Sequence, residues 1–294
     1  MSSKKQSKNA NRKHHGKAPH GYGGIRPAKG LGQNFLIDEG VIEEIAEGSG
    51  AAEDALVIEI GPGAGALTIP LAERSGYLAA IEIDENLIEP LRVKTFGMDN
   101  VEIIHADILA VNLDELIESR LSEYGLKNVR VVGNLPYYIT TPIIMKLLET
   151  AHGIDSITVM MQKEVGDRIA AEPGTRAAGA ITYPVYYHAS VRKIADVPRE
   201  CFYPAPKVDS VVLRLDIREK PAAETKNTDL MFKCVKAGFS QRRKTLLNSL
   251  SAMEGMDKET INSALERAGI DQSRRAETLT LTEFAKIADI LQEA

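Results

Sequence analysis

Ala55-Leu56-Val57-Ile58-Glu59-Ile60-Gly61-Pro62-Gly63-Ala64-Gly65-Ala66-Leu67-Thr68 is the stretch on which the fold turns. A run rich in Leu, Val and Ile reads as a strand buried on both faces. It enters a turn with glycine at every second position, then an amphipathic helix through Leu71 and Ala72. Glycines let the backbone pass close to a ligand, and a helix N-terminus offers free N–H groups. Alone, a glycine-rich turn is a weak signal.

Two further strands strengthen it. A second strand, Tyr77 to Ile83, carries Glu82 near its end, 21 residues after Gly61. At that place in a nucleotide-binding half an acidic side chain takes a ribose diol. A third strand, Val101 to His105, precedes Asp107, placed to meet an adenine amino group. The ordered series of strand and glycine turn, strand and Glu82, strand and Asp107 points to a cofactor bearing a nucleoside. Gly61, Gly63 and Ala66 also fit a dinucleotide fingerprint, so NAD is one reading. A methyl-sulfonium nucleoside is the other, with Glu59, Gly61, Gly63 and Gly65 around its amino-acid end.

The next strand separates the two. Val131-Val132-Gly133-Asn134-Leu135-Pro136-Tyr137-Tyr138 runs from a buried strand into a polar turn. In an open α/β sheet, ligands bind at the carboxyl ends of the strands, where this turn would sit. The Asn134 amide oxygen and the Leu135 carbonyl can accept the two N–H bonds of a planar amino group, and Tyr137 can stack on its ring. Pro136 fixes its own φ and biases Leu135 toward extended backbone, presetting that carbonyl. An NAD reading gives this turn no task; a methyl-transfer reading places Asn134 at the acceptor. An ordinary strand-to-helix loop is the plain alternative.

Upstream, Gln33-Asn34-Phe35-Leu36 is either a loop or a lid over a ligand. Asp38 is an N-cap for a helix with Val41, Ile42, Ile45 and Ala46 inside, closed by Gly48. Downstream, Thr141 and Pro142 open a helix, Ile157 to Met161 is a fifth strand, and Gln162 to Ile169 is helical. Residues 185–197 and 210–217 alternate as two edge strands. Between them, Cys201-Phe202-Tyr203-Pro204-Ala205-Pro206-Lys207-Val208-Asp209-Ser210 is stiffened by two prolines. Its Phe202 is either held over a site or part of a minor core. Residues 218–228 read as a linker, succeeded by helices with Asp257 and Thr282 as caps. Gln241-Arg242-Arg243-Lys244-Thr245 and Arg274-Arg275 are basic islands, either solvated faces or phosphate contacts.

Composition bounds the rest. The chain has 294 residues, 44% hydrophobic and 26% charged, which suits a main domain with a smaller companion. No apolar run approaches the ~20 residues of a membrane span, and no apolar segment follows the basic N-terminus as a signal peptide requires. Cys201 and Cys234 lack metal or redox spacing, and the six histidines form no ligand pattern. The expectation is a cytoplasmic, metal-free protein. Residues 1–29 hold eight basic residues and no acidic ones, so the net charge of −5 divides into +8 there and −13 on the remainder. Such an arm cannot bury a core; it reads as disordered, serving either polyanion binding or solubility.

Five motifs together resemble the ribosomal RNA adenine dimethyltransferases. They are Gly32-Gln33-Asn34-Phe35-Leu36, Glu59-Ile60-Gly61-Pro62-Gly63, Asn134-Leu135-Pro136-Tyr137, Phe202-Tyr203-Pro204-Ala205-Pro206-Lys207-Val208-Asp209-Ser210 and Arg242-Arg243-Lys244-Thr245-Leu246, in that order. The wording is most similar to the housekeeping branch, which dimethylates two adjacent adenosines near the 3′ end of small-subunit (16S) ribosomal RNA. The antibiotic-resistance branch, acting on large-subunit RNA, shares fold and chemistry.

The resemblance implies an α/β fold. Its sheet would be Rossmann-like, of the class I methyltransferase type, mostly parallel with seven strands and one antiparallel edge. It divides the chain into a basic arm (1–28), a methyltransferase domain (29–220) and a small helical domain that meets the ribosome (221–294). It implies S-adenosyl-L-methionine as cofactor, held by Asn34, Leu36, Glu59, Gly61, Gly63, Glu82, Asp107 and Asn134. Asn134, Leu135, Pro136, Tyr137 and Phe202 would act on the flipped adenosine, and Arg242, Arg243 and Lys244 on RNA. The partner would be the small ribosomal subunit and its RNA, met by a monomer away from membranes. A mainly non-catalytic role in subunit assembly is a further reading.

Overall fold

The computed structural model describes residues 32–149 and 153–293. The basic arm lies outside them. The elements run in order β1 (Phe35–Leu36), α1 (Glu39–Ser49), β2 (Ala55–Ile60), α2 (Thr68–Ala72), β3 (Tyr77–Glu82), α3 (Glu85–Lys94) and β4 (Val101–His105). Then come α4 (Leu113–Tyr124), β5 (Asn128–Asn134), α5 (Thr140–Glu149), β6 (Ser156–Gln162), α6 (Lys163–Ile169) and α7 (Thr182–His188). The chain continues through β7 (Ala189–Val197), β8 (Phe202–Tyr203), β9 (Ser210–Ile217), α8 (Thr228–Ser240), α9 (Leu246–Leu250), α10 (Lys258–Ala268) and α11 (Leu281–Leu291).

Seven strands form one sheet in the order β4-β3-β2-β5-β6-β9-β7. Only β9 runs against the others, and it lies one place in from the edge, between β6 and β7. Helices cover both faces, which explains why every residue of β2 and β3 is buried. Leu56, Ile58 and Val131 pack on one side of the sheet, and Val57, Leu78 and Val132 on the other. The order reverses between β2 and β5, since successive strands leave β2 in opposite directions. A crevice opens there at the carboxyl ends.

Local chemistry sets the helix ends. The Asp38 carboxylate accepts the Val41 N–H, and α1 closes at Gly50, whose φ of 71° is left-handed, rather than at Gly48. Gly48 lies inside the helix, at a position where a Cβ would press on Ile194. Asp257 caps α10 as expected. The cap of α11 is Thr280 and not Thr282: with Glu283 it closes a reciprocal capping box.

Residues 185–188 also depart from the strand expected of them. They end α7, whose Tyr183 and Tyr187 sink into the core of the C-terminal helices, and the Tyr183 hydroxyl donates to the Leu279 carbonyl at 2.6 Å. That core, built on Met231, Leu246, Leu265 and Phe284, is thus keyed to the segment preceding β7. No helix of the described residues is long and apolar enough to cross a membrane.

Candidate active site

The glycine turn after β2 is shaped by backbone that favours glycine. Gly61, Gly63 and Gly65 all have left-handed φ, at 67°, 59° and 74°. At Gly63 a Cβ would also come within 3.2 Å of the Phe35 ring, so the lid segment and the turn close on each other. Glu82, 4% exposed at the end of β3, holds this turn: its carboxylate accepts the Gly63 N–H at 3.0 Å and the Asp84 N–H at 2.9 Å. Burial raises its pKa, against the pull of those two amides.

Beside it, Asp84 caps α3 and accepts the Gln33 side-chain N–H at 2.8 Å. The Gln33–Leu36 segment is therefore tied across the mouth of the crevice, and β1 pairs with β8 below it. Asn134, the last residue of β5, completes the closure by donating from Nδ2 to the Asn34 carbonyl at 3.2 Å.

These elements enclose one cleft lined by Asn34, Gly61, Glu82, Asp107, Asn134 and Tyr137. Gly63, Leu135, Pro136 and the exposed Tyr138 also face it. A smaller hollow adjoins it, bounded by Leu36, Glu59, Gly61, Gly63 and Asn134. Two residues expected at the cofactor, Leu36 and Glu59, thus lie on the hollow and not on the main cleft. Asp107 is exposed at the rim, its carboxylate accepting the Leu109 N–H.

Glu59 is the most unusual group of the site. It is 2% exposed, and its Oε2 has no hydrogen-bond partner among the described residues. Burial pushes its pKa from 4.5 up to about 8; the charge of Glu82 adds to this, while the Thr68 hydroxyl and Lys94 oppose it. A buried carboxylate oxygen without a donor, at the closed end of a glycine cradle, suits a ligand carrying an ammonium. Glu82 retains lone pairs for a diol beyond its two amide bonds. The residues present therefore fit S-adenosyl-L-methionine.

At the other wall, Thr140 Oγ1 and the Ile139 N–H donate to the Pro136 carbonyl, whereas the Leu135 carbonyl accepts no hydrogen bond among the described residues. Tyr137 is half-buried, its hydroxyl 2.9 Å from Ser210 Oγ at the start of β9. Phe202 does not join this wall. It is 3% exposed, packed with Leu36 and Val212 beneath the β1–β8 pair, and lines neither cavity. Expected to grip a base, Phe202 has its ring in the core here, beside Leu36 with which it pairs.

Arg242, Arg243 and Lys244 lie apart from the cleft, exposed in the turn between α8 and α9. The Leu246 N–H donates to the Arg274 carbonyl at 2.7 Å, which brings the second basic island alongside. Only Arg275 of that island is an exposed cation, because Arg274 is engaged by Glu283 and the Thr278 carbonyl. Sequence reasoning missed Asp84, Lys94 and Ser210, which touch the site residues from behind. Lys94 offers no motif and Ser210 ends the Phe202–Ser210 motif with no role read for it, although Asp84 before Glu85 has the look of a helix cap.

Comparison with known proteins agrees with this geometry. The family model described as ribosomal RNA adenine dimethylase matches residues 26–293. "Ribosomal RNA small subunit methyltransferase A" of Alkaliphilus oremlandii is 44% identical over 265 residues, covering 90% of this chain and 91% of that protein. The protein of the same name from Lachnoclostridium phytofermentans is 46% identical over 268 residues, 90% of this chain and 91% of its own length. Among solved structures, the 23S rRNA methyltransferase ErmE superposes with a TM-score of 0.65 at 28% identity, covering 88% of this chain and all of that one. A dimethyladenosine transferase from Plasmodium falciparum shares the fold, with a TM-score of 0.69 at 24% identity over 86% of this chain and 95% of its own. The chain belongs to the ribosomal RNA adenine dimethylase family, enzymes that take S-adenosyl-L-methionine as methyl donor.

Proposed function

We propose that this protein dimethylates N6 of two adjacent adenosines in a loop near the 3′ end of small-subunit ribosomal RNA. It would act as a monomer in the cytoplasm on the small subunit. The observation that carries the chemistry is the orientation of Asn134. Its Nδ2 is engaged by the Asn34 carbonyl, which leaves Oδ1 as the acceptor toward the cleft.

An exocyclic adenine nitrogen is a poor nucleophile, because its lone pair is delocalised into the ring. Two acceptors, Asn134 Oδ1 and the Leu135 carbonyl, would draw its hydrogens out of plane and turn the lone pair toward the donor. Bound cofactor supplies an electrophilic methyl group on a sulfonium. The protein's task is alignment, a source of rate that needs no strong base in the site. Tyr137 would face the extruded base. Glu82 would hold the ribose, Asp107 the adenine, and Glu59 with Gly61 and Gly63 the methionine end. Arg242, Arg243 and Lys244 would contact phosphate.

The small-subunit target is supported by the names of relatives more than two-fifths identical over nine-tenths of the chain. The large-subunit alternative has the ErmE likeness in its favour, at lower identity. The test is transfer of labelled methyl from S-adenosyl-L-methionine to isolated small and large subunits lacking the modification, with nucleosides identified. Dimethyladenosine in small-subunit RNA alone is the expected result. Label in large-subunit RNA alone would establish the other target, and no transfer to either would leave the assembly role.

A further inference from the structure

Lys94 closes α3 and turns its side chain inward over the glycine turn. Its ammonium donates to the carbonyls of Gly65 at 2.7 Å and Ala64 at 3.0 Å. These carbonyls belong to the turn in which Gly65 has its left-handed φ of 74°. The aliphatic stem fills the space beside that glycine, where a Cβ would stand 3.0 Å from Lys94 Cδ. The residue as a whole remains exposed, so what it brings to the turn is the stem and the ammonium and not burial of the whole side chain.

Glu59 lines the smaller hollow together with Ala64 of this turn, and its Oε2 has no partner among the described residues. The groups facing Glu59 are few. Glu82 of β3 repels its charge, Thr68 of α2 brings a hydroxyl, and Lys94 of α3 brings the one positive charge acting on it among the described residues. The attraction is mutual: burial lowers the pKa of Lys94, and Glu59 opposes that fall.

We propose that Lys94 is a positioning residue for the methionine end of the cofactor, clamping the Ala64–Gly65 carbonyls from behind and holding a positive charge against Glu59. The inference rests on the assignment of this hollow to S-adenosyl-L-methionine. A clamp made of backbone contacts alone would need a donor but no charge. A charge is what a buried carboxylate requires if it is to stand ionised opposite the ligand's ammonium.

Lys94→Gln and Lys94→Arg separate the two parts, since the amide keeps an N–H donor without the charge and the guanidinium keeps the charge. Calorimetric titration of the full chain with S-adenosyl-L-methionine, and with its demethylated product, is carried out from pH 6 to 9. K94Q should bind about tenfold more weakly at pH 7, with the deficit shrinking toward pH 9; K94R should stay within about threefold of wild type. In a Glu59→Gln background the pH-dependent part of the K94Q deficit should vanish. Wild-type affinity in K94Q at every pH, or a deficit of the same size at every pH, would overturn the proposal. Failure of the wild-type protein to bind the cofactor at all would overturn the cofactor assignment instead.

Discussion

The Tyr137 hydroxyl stands 2.9 Å from Ser210 Oγ, linking the turn after β5 to the first residue of the reversed strand. A tyrosine that only stacked would tolerate loss of its hydroxyl. Here Tyr137→Phe leaves the fully buried Ser210 without that partner, at a cost of about 1–3 kcal/mol. Tyr137→Phe and Ser210→Ala should each lower the melting temperature and slow methylation several-fold. The double variant should be little worse than either single one. Full additivity of the two in thermal melts would show that the contact carries no energy.

Asn134 should act on rate more than on affinity. Its Oδ1 meets an amino group only when a base lies in the cleft, so Asn134→Ala should cut single-turnover methylation by orders of magnitude on saturating subunits. Subunit binding should change little. A variant with near-normal rates would sink the alignment mechanism.

Glu82 has two duties in this structure. Removing it abandons the Gly63 and Asp84 N–H groups as well as any ribose. Glu82→Ala should weaken S-adenosyl-L-methionine binding by about 1–3 kcal/mol and lower the stability of the cofactor-free protein too. Calorimetry with unchanged affinity would remove Glu82 from the site.

Glu59 should make stability and binding depend on pH. Its folded pKa, about 8, lies above the ordinary 4.5, so the folded protein holds the extra proton between these values. Stability of the cofactor-free protein should therefore fall as pH rises from about 4.5 to 8 and level off above, by at most about 5 kcal/mol at ~1.4 kcal/mol per pKa unit. Glu59→Gln should flatten that slope. Cofactor binding at pH 7 should release a fraction of a proton, read from titrations in buffers of different ionisation enthalpy. No release, with an unchanged stability slope in Glu59→Gln, would contradict the buried acid.

The exposed cluster Arg242, Arg243 and Lys244 should govern salt dependence. Neutralising all three should weaken subunit binding and reduce the slope of log K against log salt by about 2–3, while cofactor affinity holds. Arg275→Ala should add to the effect and Arg274→Ala should instead cost stability, because its guanidinium is paired with Glu283. An unchanged slope in the triple variant would mark the cluster as a solvated face.

The parallel half of the sheet was legible because its strands carry apolar runs and three of them bring a residue with chemistry to the carboxyl end: Glu59 before its glycines, Glu82 and Asn134. Residues 185–188 misled because Val185, Tyr186 and Tyr187 favour strands in isolation, while packing of Tyr183 and Tyr187 among the C-terminal helices makes a helix there. The place of Phe202 was not legible because a two-residue ladder with Leu36 leaves no periodic trace. The supports behind the site have the same cause. Lys94 reaches Gly65 and Ser210 reaches Tyr137 across long stretches of chain, and their residue types are ordinary at those places.

The reversed β9 has a consequence for how the loop before it can change. Forward strands deliver their last residues to the rim of the crevice; β9 delivers its first, with Ser210 set between Gln162 and Val197. Residues 204–209 can therefore gain or lose length only if the frame of β9 is kept. A slip of one position would turn Ser210 to the opposite face and bring Val211 into its place beside Tyr137. Loop length in this segment is thus coupled to the phenol of a residue on another strand, and chimeras exchanging residues 204–209 should lose RNA methylation before they lose the cofactor.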